Sequence, residues 1–171
     1  MIKFADLNFQ IRSIKKEIIK SINSTIKNAA FVGGENVKKF ENNFKKFHQA
    51  KYCLGVANGT DALEIAIEAL NLKKNSEVLV PVNTWISTAE AVIRNNLKIK
   101  FVDIDEKTYL ISIKDLKKKI TKNTSAIIPV HLYGQPCDMD ELLEISKKYK
   151  LKVIEDCAQA HLAEYKKKKI G

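Results

Sequence analysis

The segment Val153-Ile154-Glu155-Asp156-Cys157-Ala158-Gln159-Ala160-His161 joins a short apolar run to a carboxylate, an amide and an imidazole. Such a run is typical of a strand that is covered on both faces, and open α/β sheets bind ligands at the carboxyl ends of their strands. Asp156 is therefore the first candidate for a chemical role, followed by Gln159 and His161. The alternatives are that Asp156 caps a turn and that His161 is a structural histidine.

In the rest of the chain, short Val- and Ile-rich runs alternate with segments whose apolar residues recur every three or four positions. The runs predict strands at 51–57, 78–82, 99–104, 126–130 and 151–155. The periodic segments predict helices at 11–26, 35–48, 60–72, 85–95, 113–120 and 139–149, with Ser112 and Asp138 as N-caps. This alternation predicts an α/β fold with a mostly parallel sheet, right-handed crossovers and flanking helices.

The order of these segments predicts two parts. Both helices before residue 50 precede every predicted strand, so residues 1–50 are expected to form an amino-terminal helical segment and 51–171 a partial α/β domain. A chain of 171 residues suits one core of ordinary size. No repeat or Pro-rich linker interrupts the pattern.

Composition excludes several classes of function. The net charge of +10 comes almost entirely from lysine, with arginine only at Arg12 and Arg94, whereas readout of bases and phosphates favours arginine. We therefore expect no nucleic-acid partner. No apolar run approaches the roughly 20 residues of a membrane span, and the amino terminus lacks a signal-peptide pattern, so we expect no membrane partner and a cytoplasmic location.

The cysteines and histidines give no metal or disulfide pattern. The three cysteines are far apart and form no Cys-x-x-Cys pair, which is expected of reduced thiols. The three histidines lack the short spacing that places two ligands on one helix face. The sequence therefore predicts no metal site.

Two junctions between a strand and a helix could bind a ligand. At Asn58-Gly59-Thr60-Asp61 the start of a helix would expose backbone N–H groups, which suits a phosphate, with Gly59 allowing close approach and Thr60 adding a hydroxyl. An ordinary Thr or Asp N-cap is the alternative. After the next strand, Trp85 either fills the core or stacks on a flat aromatic ligand.

These segments jointly resemble, in order and position, the amino-terminal part of the DegT/StrS-type sugar aminotransferases. The resemblance covers nearly the whole chain. Its segments are Gly33 or Gly34 ahead of 37–41, then 58–63, 77–78, 81–85, 101–105, 126–134 and 154–161.

The resemblance implies a type I aminotransferase-like large domain that binds pyridoxal 5'-phosphate. Gly59 and Thr60 would hold the cofactor phosphate, Trp85 would stack on the pyridine ring, Asp156 would pair with the ring nitrogen, and Gln159 would sit beside the ring. A fixed carboxylate at that nitrogen makes the cofactor an electron sink. The implied partners are a nucleotide-linked keto sugar, an amino donor, expected to be glutamate, and a second subunit in a homodimer.

The chain also departs from the family pattern. Leu162 and Lys167 stand where the family commonly has glycine. The lysine that forms the Schiff base belongs to a family segment beyond Gly171, so we expect a fragment that is truncated before the fold is complete. The four lysines at 166–169 are expected to be a solvated tail and not that lysine.

We therefore expect no catalytic residue within this fragment and no activity from these 171 residues alone. For the whole protein, the resemblance predicts transfer of an amino group in amino-sugar biosynthesis for a surface polysaccharide or glycoside. A cofactor-dependent sugar dehydratase and a non-catalytic binding half-domain remain the alternatives.

Overall fold

The computed structural model describes residues 6–171, which divide into two compact units, one ending at Gly55 and the other spanning Val56–Gly171. The first unit contains helices α1 (Leu7–Lys27) and α2 (Glu35–Phe47), which confirms both predicted helices. None of residues 6–55 is buried, so the apolar stripes of both helices are exposed. Within the described part of the chain, no helix has the length and apolar character that crossing a membrane requires.

The predicted strand at 51–57 is wrong, because these residues form no strand. The backbone N–H of Gly55 donates to Oε1 of Glu41 at 2.7 Å instead of to a neighbouring strand. Residues in this stretch are mostly exposed, with Tyr52 and Leu54 each more than two-thirds accessible. The alternation of apolar and polar residues in this stretch therefore does not correspond to a buried face of a sheet.

The second unit is an α/β sandwich around a four-stranded parallel sheet in the order β2-β1-β3-β4. The other predicted strands and helices are confirmed, with ends that shift by at most three residues. In chain order the elements are α3 (Gly59–Ala69), β1 (Glu77–Pro81), α4 (Ile86–Arg94), β2 (Lys98–Val102), α5 (Ile113–Lys119), β3 (Thr124–Ile127), α6 (Met139–Tyr149) and β4 (Lys152–Val153).

Strand β1 is buried on both faces and divides the core into two layers. Val78 and Val80 point to one face, where they pack in a cluster with residues of α3 and α4 such as Ile67. Leu79 points to the other face and packs with residues of α5 and α6, including Leu116. A central strand flanked by helices on both sides explains its continuous run of apolar residues.

The connections reverse direction between β1 and β3. The chain leaves β1 for β2 on one side, and it leaves β3 for β4 on the other, while β1 and β3 pair directly. Such a reversal opens a crevice at the carboxyl ends of the two strands, which is the general ligand position in open α/β sheets. We call the side of the sheet where β1 to β4 end the carboxyl edge.

The N-caps of α5 and α6 are the two residues that the sequence predicts. The Ser112 hydroxyl accepts from the N–H of Asp115 at the start of α5, and Asp138 accepts from the N–H of Glu141 at the start of α6. Both N-caps were predicted from the residue types and their spacing.

The expectation of a solvated tail at 166–169 is wrong for the backbone. Strands β5 (Glu164–Tyr165) and β6 (Lys168–Lys169) form an antiparallel hairpin, although most of the lysine side chains remain exposed. The two turn residues, Lys166 and Lys167, have φ values of 49° and 67°. Two-residue hairpin turns with positive φ at both positions favour glycine. Two lysines at these positions therefore gave no sequence signal for a turn.

Candidate ligand site at the carboxyl edge

Asp156 lies at the carboxyl edge in a short parallel bridge with Val130 that continues the pairing of β3 and β4. Its side chain is only 8% exposed. Oδ1 accepts from the backbone N–H of Ala158 at 3.1 Å, and Oδ2 accepts from the hydroxyl of Thr88 at 2.9 Å. Asp156 therefore caps a turn, as one interpretation required. Each oxygen can accept a further hydrogen bond, so this cap does not preclude a ligand.

Thr88 is a site residue that the sequence reasoning missed. It lies in the first turn of α4, its side chain is fully buried, and its hydroxyl lies 3.0 Å from the hydroxyl of Thr84. A signal was present, because two threonines four residues apart just after a buried strand can meet on one side of a helix start. What the sequence did not show is that this hydroxyl pair reaches Asp156, 68 residues further on.

The start of α3 carries the predicted phosphate-binding residues. The side chain of Asn58 is the N-cap and accepts from the N–H of Asp61 at 3.0 Å, so the predicted alternative of a Thr or Asp cap is wrong. Because Thr60 is not the cap, its hydroxyl can bond to other groups, and it lies 2.7 Å from the hydroxyl of Ser87 in α4. A Cβ added to Gly59 would meet nothing within 4 Å, which leaves open space beside the first N–H groups of the helix.

Trp85 occupies the N-cap position of α4 and is 72% exposed. The alternative in which this tryptophan fills the core is therefore wrong. Most of the indole surface is accessible to a planar ligand, and the residue is two positions from Ser87 and three from Thr88. The first turn of α4 thus connects Trp85 with Thr60 on one side and with Asp156 on the other.

The side-chain amide of Gln159 has a defined orientation. Its Oε1 accepts from the backbone N–H of Tyr133 at 2.8 Å, and because an N–H can only donate, the oxygen must face Tyr133. The Nε2 group is then the end of the amide with protons to donate. His161 follows in the same turn region and is exposed, outside the set of residues that these hydrogen bonds join.

Three further side chains form a cluster that the sequence did not predict. One ligand-type atom each from His131, Glu155 and Cys157 lies within 4.8 Å of the others. Nδ1 of His131 accepts from the backbone N–H of Cys137 at 3.0 Å, so the imidazole proton must be on Nε2, which donates to Glu155 at 3.0 Å. A protonated Nε2 has no lone pair for a metal ion.

The Cys157 thiol in this cluster is also a poor metal ligand. Burial, together with the nearby Glu155 and Asp156 carboxylates, raises the pKa of Cys157 to about 12. The thiolate, which is the metal-binding form, is therefore disfavoured at neutral pH. We interpret the cluster as a hydrogen-bonded brace. That the protein binds no metal stays a prediction.

The Glu155 carboxylate in this brace links its own segment to those of His131 and Gly171. The hydrogen bond from His131 holds the pKa of the Glu155 carboxyl below its ordinary value of 4.5, against the opposing effect of burial, and the N–H of Gly171 also donates to it. The folded state therefore binds fewer protons at this group than the unfolded state. Its contribution to stability is fully present above pH 4.5 and is lost as the pH falls through the lower, folded-state pKa.

We expect Glu155→Gln to flatten the acid limb of the stability curve. Thermal unfolding followed by circular dichroism between pH 6 and 3 should show a smaller loss of Tm below pH 4.5 in the variant than in the wild type. The matched control is Glu144→Gln, which changes an exposed carboxylate on α6 and should track the wild-type curve. Parallel curves for wild type and Glu155→Gln would contradict the assignment.

The fold and this edge define an α/β protein with a candidate small-ligand site at the reversal point of a parallel sheet. A comparison with family models gives the particular family. Residues 12–171 match the DegT/DnrJ/EryC1/StrS aminotransferase family, and the chain belongs to that family. The resemblance inferred from the sequence motifs is confirmed.

Among curated relatives, the dTDP-3-amino-3,6-dideoxy-alpha-D-galactopyranose transaminase of Aneurinibacillus thermoaerophilus is 44% identical over 171 residues. The match covers 100% of this chain and 47% of the relative. This chain therefore spans about half the length of the curated relatives it matches.

Two solved structures are also similar. The first is DesV of S. venezuelae in complex with a ketimine intermediate, with a TM-score of 0.89 and 32% identity over 99% of this chain and 46% of that one. The second is the E. coli GDP-4-keto-6-deoxy-D-mannose-3-dehydratase with bound hydrated PLP, with a TM-score of 0.85 and 34% identity over 90% of this chain and 41% of that one. The predicted aminotransferase-like α/β fold is confirmed.

Proposed function

We propose that the protein uses pyridoxal 5'-phosphate to transfer an amino group to a nucleotide-linked keto sugar. The observation that carries this proposal is the buried Asp156 carboxylate, held at both oxygens at the carboxyl edge and linked through α4 to the exposed Trp85. The family and the transaminase activity of the Aneurinibacillus relative support it.

The residues present fit this cofactor. A phosphate suits the start of α3, where Gly59 leaves open space and Thr60 offers a hydroxyl. A planar pyridine ring suits the accessible indole of Trp85. A ring N–H suits Asp156, because an ionised carboxylate can only accept hydrogen bonds.

When bound, the cofactor supplies an electron sink for a carbanion next to the reacting nitrogen. The chain contributes orientation and charge. Asp156 would hold a proton on the ring nitrogen, the N–H groups of Gly59 and Thr60 would fix the phosphate, and Trp85 would cover one ring face and exclude water. Gln159 would offer Nε2 as a donor, because Tyr133 already occupies its oxygen. For His161 we propose a place near the substrate.

Binding of the cofactor can be tested on the 171-residue chain. Trp85 is the only tryptophan, so its fluorescence reports directly on the proposed site. We expect pyridoxal 5'-phosphate to quench this fluorescence saturably, and pyridoxal without the phosphate to bind at least about tenfold more weakly, since it lacks the charged group that the helix start attracts. Equal binding of the two compounds would contradict the phosphate assignment, and the absence of quenching in a chain that circular dichroism shows to be folded would contradict the cofactor proposal.

A sugar dehydratase is the second candidate, because the E. coli 3-dehydratase is 34% identical to this chain. The two activities are distinguished by products of a full-length version incubated with a nucleotide-linked keto sugar and glutamate, the proposed amino donor. Mass spectrometry should show an aminated sugar and 2-oxoglutarate. A deoxygenated sugar would instead assign the dehydratase reaction.

We further propose that the full-length protein is a cytoplasmic homodimer that serves polysaccharide or glycoside biosynthesis. The exposed apolar stripes of α1 and α2 support a second subunit, since Ile14 and Phe40 are 40% and 55% accessible. Light scattering should give twice the monomer mass, and a monomer at micromolar concentration would contradict the dimer.

A further inference from the structure

We propose that Thr88, oriented by Thr84, is a positioning residue that fixes how the Asp156 carboxylate faces the ring nitrogen of the cofactor. This inference rests on the proposed function. Thr88 itself touches Asp156 and belongs to none of the motifs that identified the site.

The direction of the hydrogen bonds follows from proton counting. An ionised carboxylate only accepts, so the single hydroxyl proton of Thr88 is donated to Oδ2 of Asp156. Thr88 then has no proton left for Thr84. The hydroxyl of Thr84 must therefore be the donor in the 3.0 Å contact between the two threonines, which gives a one-way relay from Thr84 to Thr88 to Asp156.

The relay determines the orientation of the carboxylate. The Ala158 N–H holds Oδ1 and the Thr88 hydroxyl holds Oδ2, so rotation of the group about its last side-chain bond would break both hydrogen bonds. Thr88 is fully buried and Asp156 nearly so, and in such surroundings an unpaired polar group is costly. The Thr88 hydroxyl is therefore a more stable hydrogen-bond partner for Asp156 than a water molecule would be.

A purely structural role for Thr88 makes a different prediction. If the threonine served only to fill space in α4, valine would replace it with little effect on the cofactor, because the two side chains have nearly the same shape. If the hydroxyl positions Asp156, valine should leave the fold intact but weaken the bond that keeps the ring nitrogen protonated.

The test uses pyridoxal 5'-phosphate labelled with ¹⁵N at the ring nitrogen and bound to a full-length version of the protein. The ¹⁵N chemical shift reports protonation of that nitrogen as the pH is raised. For Thr88→Val we expect the midpoint of proton loss to fall by about one pH unit and cofactor binding to weaken about tenfold, the scale of one hydrogen bond to a charged group. Thr88→Ser, which keeps the hydroxyl, should restore the wild-type midpoint.

A milder variant keeps the proposal testable if Thr88→Val does not fold. Thr84→Val removes only the outer donor, and its midpoint should lie between those of wild type and Thr88→Val. A folded Thr88→Val, or in its absence Thr84→Val, with the wild-type midpoint would overturn the positioning role while leaving the cofactor proposal intact. Failure of the full-length wild-type protein to bind the cofactor would overturn both.

Discussion

Asp156→Asn in a full-length version of the protein is expected to lower turnover about 10²–10³-fold, the scale of removing one preorganised electrostatic partner from an enzyme site. Asparagine keeps the shape of the side chain and can still accept from Thr88 at 2.9 Å or from Ala158. It removes the negative charge that favours a proton on the ring nitrogen. The fold should survive while the electron-sink chemistry is lost.

The measurement is steady-state turnover with a nucleotide-linked keto sugar, with circular dichroism to verify folding. Asp140→Asn is the matched control, since that carboxylate is on the surface of α6, is paired with Lys166, and should leave turnover within about twofold of wild type. Full activity in Asp156→Asn would remove the carboxylate from the proposed site.

Trp85→Ala is expected to weaken binding of pyridoxal 5'-phosphate to the 171-residue chain by about tenfold or more. Ring stacking contributes about 0.5–1.5 kcal/mol beyond the apolar area that the indole and the pyridine ring cover together. Because Trp85 is 72% exposed and at a helix N-cap, its removal should leave no cavity in the core and should change Tm little. Binding is measured by calorimetry, since the variant has no tryptophan fluorescence.

Trp85→Phe separates stacking from the rest of the indole. Phenylalanine keeps an aromatic face at the same position, so its affinity should fall between those of wild type and Trp85→Ala. A variant with alanine that binds as tightly as wild type would show that the exposed indole serves another purpose. A large drop in Tm would instead show that Trp85 supports α4.

The elements that the sequence predicted well are those whose signal is local. Each of the helices and the strands β1 to β4 is marked by its own apolar period or run, and the caps Ser112 and Asp138 bond residues three positions away. The errors have the opposite cause. The segment 51–57 alternates like a strand but has no strand beside it, and the hairpin at 164–169 forms although lysine occupies both left-handed turn positions.

Short-range order along the chain is enough to predict the family, the parallel α/β architecture and the placement of Gly59, Thr60, Trp85 and Asp156 at strand or helix ends, with Gln159 in the turn after Asp156. Which of these groups meet depends on the tertiary structure. Thr88 reaches Asp156 across 68 residues, and Tyr133 orients the Gln159 amide across 26. Such contacts depend on how strands and helices pack in three dimensions. A hydrogen bond between residues so far apart along the chain produces no periodic pattern in the sequence.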